Sequence, residues 1–205
     1  MARYVEEFMS LKCAGDVLNA VHPIGNKIEK EITEAMAIIK NLRGFILSSP
    51  GPHRVVDLCS GNALVPVLAA FLFPNTITIA IDKKYRDRKW HLVKNFTYLE
   101  TDIYENYVYD FIDENTIITA VHPCQNLAKR VISIYKNSKA KGLILMPCCE
   151  GNLTKKYPQY IQEKLSSYDL WAWELAEEAG GNIHADKHCL SPKNLIIEAK
   201  KRFLS

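Results

Sequence analysis

VVDLCSGNALVPVLAAFLF, residues 55–73, carries the clearest structural pattern in this sequence. It begins with an apolar run that ends in an acid, continues through a turn of small residues, and finishes in an apolar segment long enough for a helix. A strand, a short turn and a helix in this order are typical of the first unit of a parallel α/β sheet.

Around this stretch, short apolar runs alternate with longer segments that suit helices. The runs are continuously apolar, which is typical of strands buried on both faces of a parallel sheet. The runs occupy residues 54–58, 76–82, 95–101, 116–122, 142–147 and 194–199, and the helical segments are 63–73, 84–94, 127–137 and 159–179. We therefore predict an α/β fold, with helices on both faces of a mostly parallel sheet and a terminal antiparallel pair formed by Ile183 and residues 195–199. The periodicity alone fits a flavodoxin or a dehydrogenase equally well.

The first fifty residues differ from the rest because they contain no strand-like run. Residues 28–42 carry apolar side chains at helical spacing, which predicts an amphipathic helix. SSPGPH, residues 48–53, then breaks the chain. We expect residues 1–50 to form a helical extension and residues 51–205 to form the main domain.

Composition restricts the class of protein only broadly. The chain has 205 residues, of which 48% are hydrophobic and 24% are charged, so it is long enough for one sizeable core. Its net charge of +3 permits nucleic-acid binding without indicating it. No apolar run is long enough to span a membrane, and acids near the N-terminus interrupt any secretory signal. We expect a cytoplasmic protein without membrane contact, whose six cysteines are reduced thiols rather than a disulfide framework.

Acids follow three successive apolar runs, with Asp57 at the first, Asp82 at the second and Asp102 at the third. The carboxyl ends of parallel strands meet at one edge of the sheet, which is where open α/β sheets bind ligands. A carboxylate at that edge can meet an ammonium group or accept hydrogen bonds from both hydroxyls of a ribose. The three acids therefore indicate a single ligand site.

The segment 57–63 resembles the first motif of class I S-adenosylmethionine-dependent methyltransferases, D/E-x-G-x-G-x-G after an apolar strand. Asp57 and Gly61 match this motif, whereas Cys59 and Ala63 stand in place of its other two glycines. The resemblance implies a Rossmann-like fold and S-adenosylmethionine as the cofactor. It places the methionine half of the cofactor on the small residues of the turn and its ammonium group at Asp57.

The same resemblance assigns the nucleoside half of the cofactor to the next two strand ends. Asp82 would accept both ribose hydroxyls, with Lys83 beside it, and Asp102 would accept the adenine amino group with Ile103 near the ring. The residues expected to bind the cofactor are therefore Asp57, Cys59, Gly61, Ala63, Asp82, Lys83, Asp102 and Ile103.

Two further motifs narrow the resemblance. TAVHPCQNLAKRVI, residues 119–132, follows the fourth run, and LILMPCCEGN, residues 143–152, closes the fifth. Together they resemble a methyltransferase subfamily with a His-x-Cys-Gly-Asp-Leu-like element and a Pro-Cys-Cys-like or Cys-Cys-His-like element, which includes the tRNA acceptor-stem ribose methyltransferases. The matching residues are His122, Cys124, Leu127, Pro147, Cys148 and Cys149, and the departures are Gln125-Asn126 and Glu150-Gly151.

The fourth and fifth strands end at the same edge as the cofactor site. His122 would therefore be a catalytic general base or orienting group for a hydroxyl acceptor. Cys124 would be catalytic in the acceptor pocket, which Cys148 and Cys149 would also line, although small core residues at crowded strand ends would explain these thiols too. The partner would be structured RNA or a small-molecule acceptor. The basic run KKYRDRKWHLVK, residues 83–94, would guide a polyanion, although a solvated surface helix also explains it. Residues 22–31 would close over the cofactor with Lys27 at its carboxylate, or form a plain loop and helix cap.

The cysteines raise the question of a metal. Cys124, Cys148 and Cys149 with the pair His188-Cys189 have the right chemistry for zinc. Adjacent cysteines of an extended strand point to opposite sides, however, so we expect no bound metal.

We expect an enzyme that transfers a methyl group by direct displacement from the sulfonium. Two other functions stay open. One is a catalytically inactive S-adenosylmethionine-binding module with the same fold, which the two substituted glycines keep in play. The other is a nicotinamide or flavin oxidoreductase, which the irregular glycine turn disfavours.

Overall fold

A computed structural model describes residues 2–22, 28–49 and 51–201. The described residues form one sheet whose strands are β1 (His53–Leu58), β2 (Thr76–Asp82), β3 (Phe96–Glu100), β4 (Thr116–Val121), β5 (Gly142–Met146), β6 (Asn182–Ala185) and β7 (Leu195–Lys200). Their order across the sheet is β3-β2-β1-β4-β5-β7-β6. Strands β1 to β5 are parallel, whereas β7 runs antiparallel to both β5 and β6. The predicted α/β fold with a terminal antiparallel pair is confirmed.

The α-helices are α1 (Arg3–Met9), α2 (Ala14–Val21), α3 (Ile28–Leu47), α4 (Leu64–Leu72), α5 (Asn126–Asn137), α6 (Gln159–Gln162) and α7 (Ser167–Ala179). These helices cover both faces of the sheet, as two neighbouring residues of β1 show. Val55 lies in a hydrophobic cluster with residues of α1 to α4, and Val56 lies in a second cluster with residues of α5 and α7. The first three helices thus share one core with α4 and the sheet.

The predicted helix over residues 84–94 is wrong. The segment has no regular secondary structure except for the short 3-10 helix Trp90–Leu92. Its charged residues leave it without the apolar stripe that would hold a helix on the sheet. Contacts with neighbouring elements hold it instead: the Trp90 ring stacks on Tyr98 at 3.8 Å between centroids, and the Lys89 amide donates to the Ala20 carbonyl. The segment runs back from the tip of β2 to the start of β3, so only its first residues stay at the carboxyl edge.

The predicted helix over residues 159–179 is interrupted. Helix α6 ends at Gln162, and Ser166 starts α7 with a capping box, in which its hydroxyl accepts from the Asp169 amide and Asp169 accepts from the Ser166 amide. Such a box satisfies backbone donors that the helix itself leaves unpaired, so it fixes a new helix start. Gly180, with φ of +65°, ends α7 as predicted.

Helix α1 contacts the loop that follows β6. The Tyr4 hydroxyl in α1 donates a 2.6 Å hydrogen bond to Asp186, which follows β6. Of the proposed lid, residues 23–27 including Lys27 lie outside the described residues, and His22 ends α2 in a left-handed conformation with φ of +40°. Within residues 2–22, 28–49 and 51–201, none of the helices combines the length and apolar character that a transmembrane helix needs.

Candidate active site at the carboxyl edge of the sheet

A cavity of about 240 Å³ opens at the carboxyl edge of the parallel strands. Its lining comes from helix α3, the turn 59–62 between β1 and α4, the start of α4 and the tip of β4. Arg86, from the basic segment after β2, also contributes to the lining. The predicted site residues Asp57, Cys59, Gly61 and His122 line this cavity. The lining does not include the other predicted residues, which are Ala63, Asp82, Lys83, Asp102, Ile103 and Cys124.

Asp57 is the most buried carboxyl group of the site, with 2% of its surface exposed. One oxygen accepts a 2.6 Å hydrogen bond from Thr119 Oγ1 on β4, and the other accepts a 2.5 Å bond from Ser60 Oγ. Burial raises the pKa of Asp57 to about 7, because the two hydroxyl bonds compensate only part of the lost hydration and the charge of Asp82 opposes ionisation. Asp57 can therefore gain or lose a proton near neutral pH.

The turn after β1 has a left-handed backbone at three alternate positions. Cys59 and Ala63 each have φ of +59°, and Gly61 has φ of +53°. Cys59 and Ala63 are the residues that replace motif glycines, and a residue with a Cβ loses roughly 1–2 kcal/mol in this conformation. The Ala63 amide closes the turn on the Ser60 carbonyl at 2.8 Å. The chain thus keeps the glycine conformation without two of the glycines.

Asp82 joins the tip of β2 to this turn. Its Oδ2 accepts a 2.8 Å hydrogen bond from the Gly61 amide, and its Oδ1 accepts a 2.9 Å bond from the Lys84 amide. Each carboxylate oxygen has two lone-pair directions, so each oxygen keeps room for one further donor. Asp82 is half-buried and open to a ligand on that side.

Asp102 and Ile103 follow β3, one strand further out. Lys83 Nζ lies 2.9 Å from Asp102 Oδ2, and the Tyr104 amide donates to Oδ1 at 3.1 Å. The Lys83 bond, followed by that amide, holds the pKa of Asp102 below its ordinary value. Ile103 is 3% exposed. Lys83 thus points at Asp102 rather than into the cavity.

His122 follows β4 in a left-handed conformation with φ of +57°. Its Nε2 lies 2.5 Å from Glu34 Oε1, and the same carboxylate oxygen lies 3.0 Å from Lys30 Nζ. Its Nδ1 is buried and has no hydrogen-bond partner among the described residues. Burial alone would raise the pKa of Glu34, but the hydrogen bonds and charges of His122 and Lys30 hold it below its ordinary value.

The sequence did not single out Glu31, Glu34 or Arg86, which all line the cavity. Glu31 and Glu34 are three residues apart in α3, so they share one helix face. The signal in the sequence was an acid inside the apolar stripe of the predicted helix. That acid is Glu34, which is 3% exposed. Arg86 was visible only as one of several basic residues in the segment 83–94.

Three thiols meet beside His122. The Sγ atoms of Cys124, Cys148 and Cys149 are separated by 3.1 Å, 3.3 Å and 3.6 Å, and burial raises the pKa of Cys124 and Cys148. The expectation that adjacent cysteines point apart does not hold, because β5 ends at Met146 and the following residues bend. Cys189 is buried elsewhere and does not belong to this cluster.

The comparisons with known proteins agree on the class of fold. A family model described as a methyltransferase domain matches residues 27–156. No curated protein sequence matches this chain. A chain of the fibrillarin/Nop5p complex is 16% identical over 82% of this chain and 81% of that chain, with a TM-score of 0.59.

Two other solved structures have lower structural scores. A TehB-like SAM-dependent methyltransferase from Corynebacterium glutamicum is 10% identical over 82% of this chain and 88% of that chain, with a TM-score of 0.49. A SAM-dependent methyltransferase from Aquifex aeolicus is 15% identical over 85% of this chain and 97% of that chain, with a TM-score of 0.47. At these identities, only the likeness to the fibrillarin chain carries weight, and it shows a shared fold alone.

Proposed function

This chain belongs to the methyltransferase domain family, and from that premise we propose that it transfers the methyl group of S-adenosylmethionine to an acceptor at the carboxyl edge of the sheet. The observation that carries the proposal is the row of carboxylates at the tips of β1, β2 and β3. Asp57, Asp82 and Asp102 stand on neighbouring strands, next to a cavity that Asp57 lines. The cofactor has an ammonium group, a ribose diol and an adenine amino group, which are donors that such a row can receive in sequence.

In this proposal the methionine half of the cofactor lies in the cavity against the turn of Cys59, Gly61 and Ala63. Asp57 meets the ammonium group in its ionised form. Asp82 uses the free lone pairs of its two oxygens for the ribose hydroxyls. Outside the cavity, Asp102 receives the adenine amino group while Lys83 balances its charge, and Ile103 packs against the ring.

His122 is the residue that we propose acts on the acceptor. If its Nε2–H donates to Glu34, the lone pair for a proton is on Nδ1, which has no partner among the described residues. An unpaired buried nitrogen costs about 1–3 kcal/mol, so a hydroxyl that displaced the groups covering Nδ1 would gain by bonding to it. The acceptor oxygen takes the methyl group, its proton passes to Nδ1, and neutral S-adenosylhomocysteine leaves. Glu34 is a positioning residue, and Cys124 borders the acceptor.

We further propose that the acceptor is a hydroxyl or a nitrogen of structured RNA. The support is the resemblance of the His122 and Cys148 motifs to RNA-modifying methyltransferases, together with the cations that begin the segment 83–94. Arg86 lines the cavity, and Arg88 donates to Asn62 in its wall at 3.3 Å. Contacts between such cations and the phosphates of a nucleic acid would position it without specifying its sequence.

The test combines ligand binding with methyl transfer. Calorimetry should detect one site per chain for S-adenosylmethionine and for S-adenosylhomocysteine, and the absence of heat with both would overturn the proposal. Incubation with tritiated S-adenosylmethionine and total RNA from a host that lacks the gene should label RNA. Label in a small-molecule fraction instead would refute RNA and keep the enzyme class. Binding without transfer to either fraction would favour the inactive cofactor-binding module.

A further inference from the structure

The cluster of Cys124, Cys148 and Cys149 carries out no chemical step in the proposed methyl transfer, although Cys124 borders the proposed acceptor. We propose that these three thiols form a zinc site, in which one Zn²⁺ is held by three thiolate sulfurs and a water molecule. The site rests on the geometry of the cysteines and is independent of the proposed function. It would exist whether or not the chain transfers methyl groups.

The distances between the sulfurs fit one shared ion. A zinc–thiolate bond is about 2.3 Å long, so one ion can bind two sulfurs only if they are within about 4.6 Å of each other. The largest separation in the cluster, between Cys149 and Cys124, is 3.6 Å. Tetrahedral coordination places sulfurs about 3.8 Å apart at this bond length, so an outward movement of a few tenths of an ångström completes the geometry.

The backbone that carries the thiols is fixed by two neighbouring parallel strands. Cys124 lies between β4 and α5, and Cys148 follows β5, which pairs with β4. The His122 amide donates to the Met146 carbonyl at 2.7 Å, which holds the two strand ends together. The thiols therefore lie side by side before any ion arrives, and little ordering of the chain is needed for binding.

The chemistry of the donor set selects the class of ion. Thiolates are soft ligands that favour zinc and copper(I) over magnesium or calcium. Within the described part of the chain, no fourth histidine, cysteine or carboxylate ligand belongs to the cluster. Cys124 and Cys149 are exposed, so water can reach the fourth position of a tetrahedral ion. Each thiol that binds the ion releases its proton to solvent.

The first experiment uses Co²⁺ as a spectroscopic probe on the reduced, metal-free full chain. Titration should produce thiolate-to-cobalt charge-transfer absorption that saturates at one ion per chain, and added Zn²⁺ should abolish it. Cys149→Ser exchanges an exposed thiol and should weaken binding by at least about a hundredfold, since even changes beside a metal ligand cost ten- to a hundredfold. Cys13→Ser, which changes a partly exposed thiol outside the cluster, should bind Co²⁺ like the original chain.

The second experiment counts thiols. Zn²⁺ should protect three of the six cysteines from a maleimide reagent, and mass spectrometry of the peptides should identify Cys124, Cys148 and Cys149. Thermal unfolding of each variant shows whether it remains folded. Absence of charge-transfer absorption, equal Co²⁺ affinity in Cys149→Ser, or protection of other cysteines would each overturn the site.

Discussion

The carboxylate of Glu34 lies 2.5 Å from Nε2 of His122, so helix α3 contacts the tip of β4 across 88 positions of the sequence. A carboxylate in this place fixes the orientation of the imidazole, and in the proposed transfer it would stabilise the charged ring formed when Nδ1 accepts the acceptor's proton. The pair therefore connects the first part of the chain to the proposed acceptor position.

Replacing His122 by alanine should lower kcat by about a hundredfold or more, because a positioned general base contributes roughly 10²–10⁴-fold. The Kd for S-adenosylmethionine should stay unchanged, and added imidazole should restore part of the rate. Glu34→Gln keeps an oxygen acceptor and should lose less activity than Glu34→Ala. His91→Ala, at an exposed histidine, is the matched control. Wild-type turnover in His122→Ala would reduce the pair to a structural contact.

Asp82→Asn should weaken S-adenosylmethionine binding about a hundredfold, or roughly 2–3 kcal/mol, as charge-assisted bonds to two ribose hydroxyls are lost. Asparagine is preferable to alanine because its amide oxygen can still accept from the Gly61 amide, which Asp82 now binds at 2.8 Å. Glu100→Gln changes the register partner of Asp82 on β3 and should bind the cofactor normally. Calorimetry measures the affinity of both variants for the cofactor. Equal affinities of Asp82→Asn and Glu100→Gln would show that Asp82 does not bind the cofactor.

The raised pKa of Asp57 predicts a pH dependence of cofactor binding. Since the pKa lies at about 7, a fall from pH 8 to pH 6 protonates the carboxyl group and removes the charge that the ammonium group would meet. Affinity for S-adenosylmethionine should therefore fall on acidification. Affinity for 5′-methylthioadenosine, which lacks the ammonium group, should stay nearly constant with pH. Asp57→Asn should flatten the pH dependence of the affinity for S-adenosylmethionine. Parallel curves for the two ligands would contradict the contact.

The raised pKa of Asp57 also makes the stability of the fold depend on pH. The folded chain holds a proton on Asp57 that the unfolded chain releases at its lower, ordinary pKa of 3.8. The stabilisation of the fold by this bound proton is therefore complete below about pH 4 and is lost as the pH rises to about 7. Subtracting the free energy of unfolding of Asp57→Asn from that of the original chain across this range isolates the effect.

If RNA is the acceptor, its binding should depend steeply on salt. Lys84→Gln with Arg88→Gln should lower the slope of log K against log salt by about 1.5, as each phosphate contact contributes about 0.7–0.9. Arg86 is left intact because it lines the cavity. The control pair is Lys136→Gln with Lys139→Gln at the far end of α5, on the opposite edge of the sheet. Equal slopes in both double variants would argue against phosphate contacts at the cavity.

Two glycines test the packing around the sheet. A Cβ at Gly181 would lie 2.4 Å from the Glu198 carbonyl oxygen, so Gly181→Ala should destabilise the fold by about 1–3 kcal/mol. Gly44 lies in α3. Apart from its chain neighbours and the backbone of its own helix, no atom of the described residues lies within 4 Å of such a Cβ, so Gly44→Ala should raise the free energy of unfolding by about 0.5–1 kcal/mol. Denaturant unfolding measures both changes. Similar effects of the two substitutions would contradict the close approach at Gly181.

The strands and the three tip acids were predictable from the sequence because their signals are local. A strand buried on both faces is continuously apolar, and an acid that ends it lies at the ligand edge. The helix over residues 84–94 was predicted wrongly because the segment has no apolar stripe among its charged residues. Contacts from Tyr98 and Ala20 set its path instead. The contact of Glu34 with His122 was hidden because it joins residues far apart in sequence.

Helix α3 supplies Glu31, Glu34 and Ala35 to the cavity, whereas the carboxylate row comes from β1, β2 and β3. The two groups of residues are encoded on either side of the break at residues 48–53. Recombination at that junction would exchange the α3 wall, and with it the Glu34 partner of His122, and would leave the carboxylate row intact. Sequence changes confined to α3 would thus alter the surroundings of His122 without touching the three carboxylates, so the two halves of the cavity can vary independently.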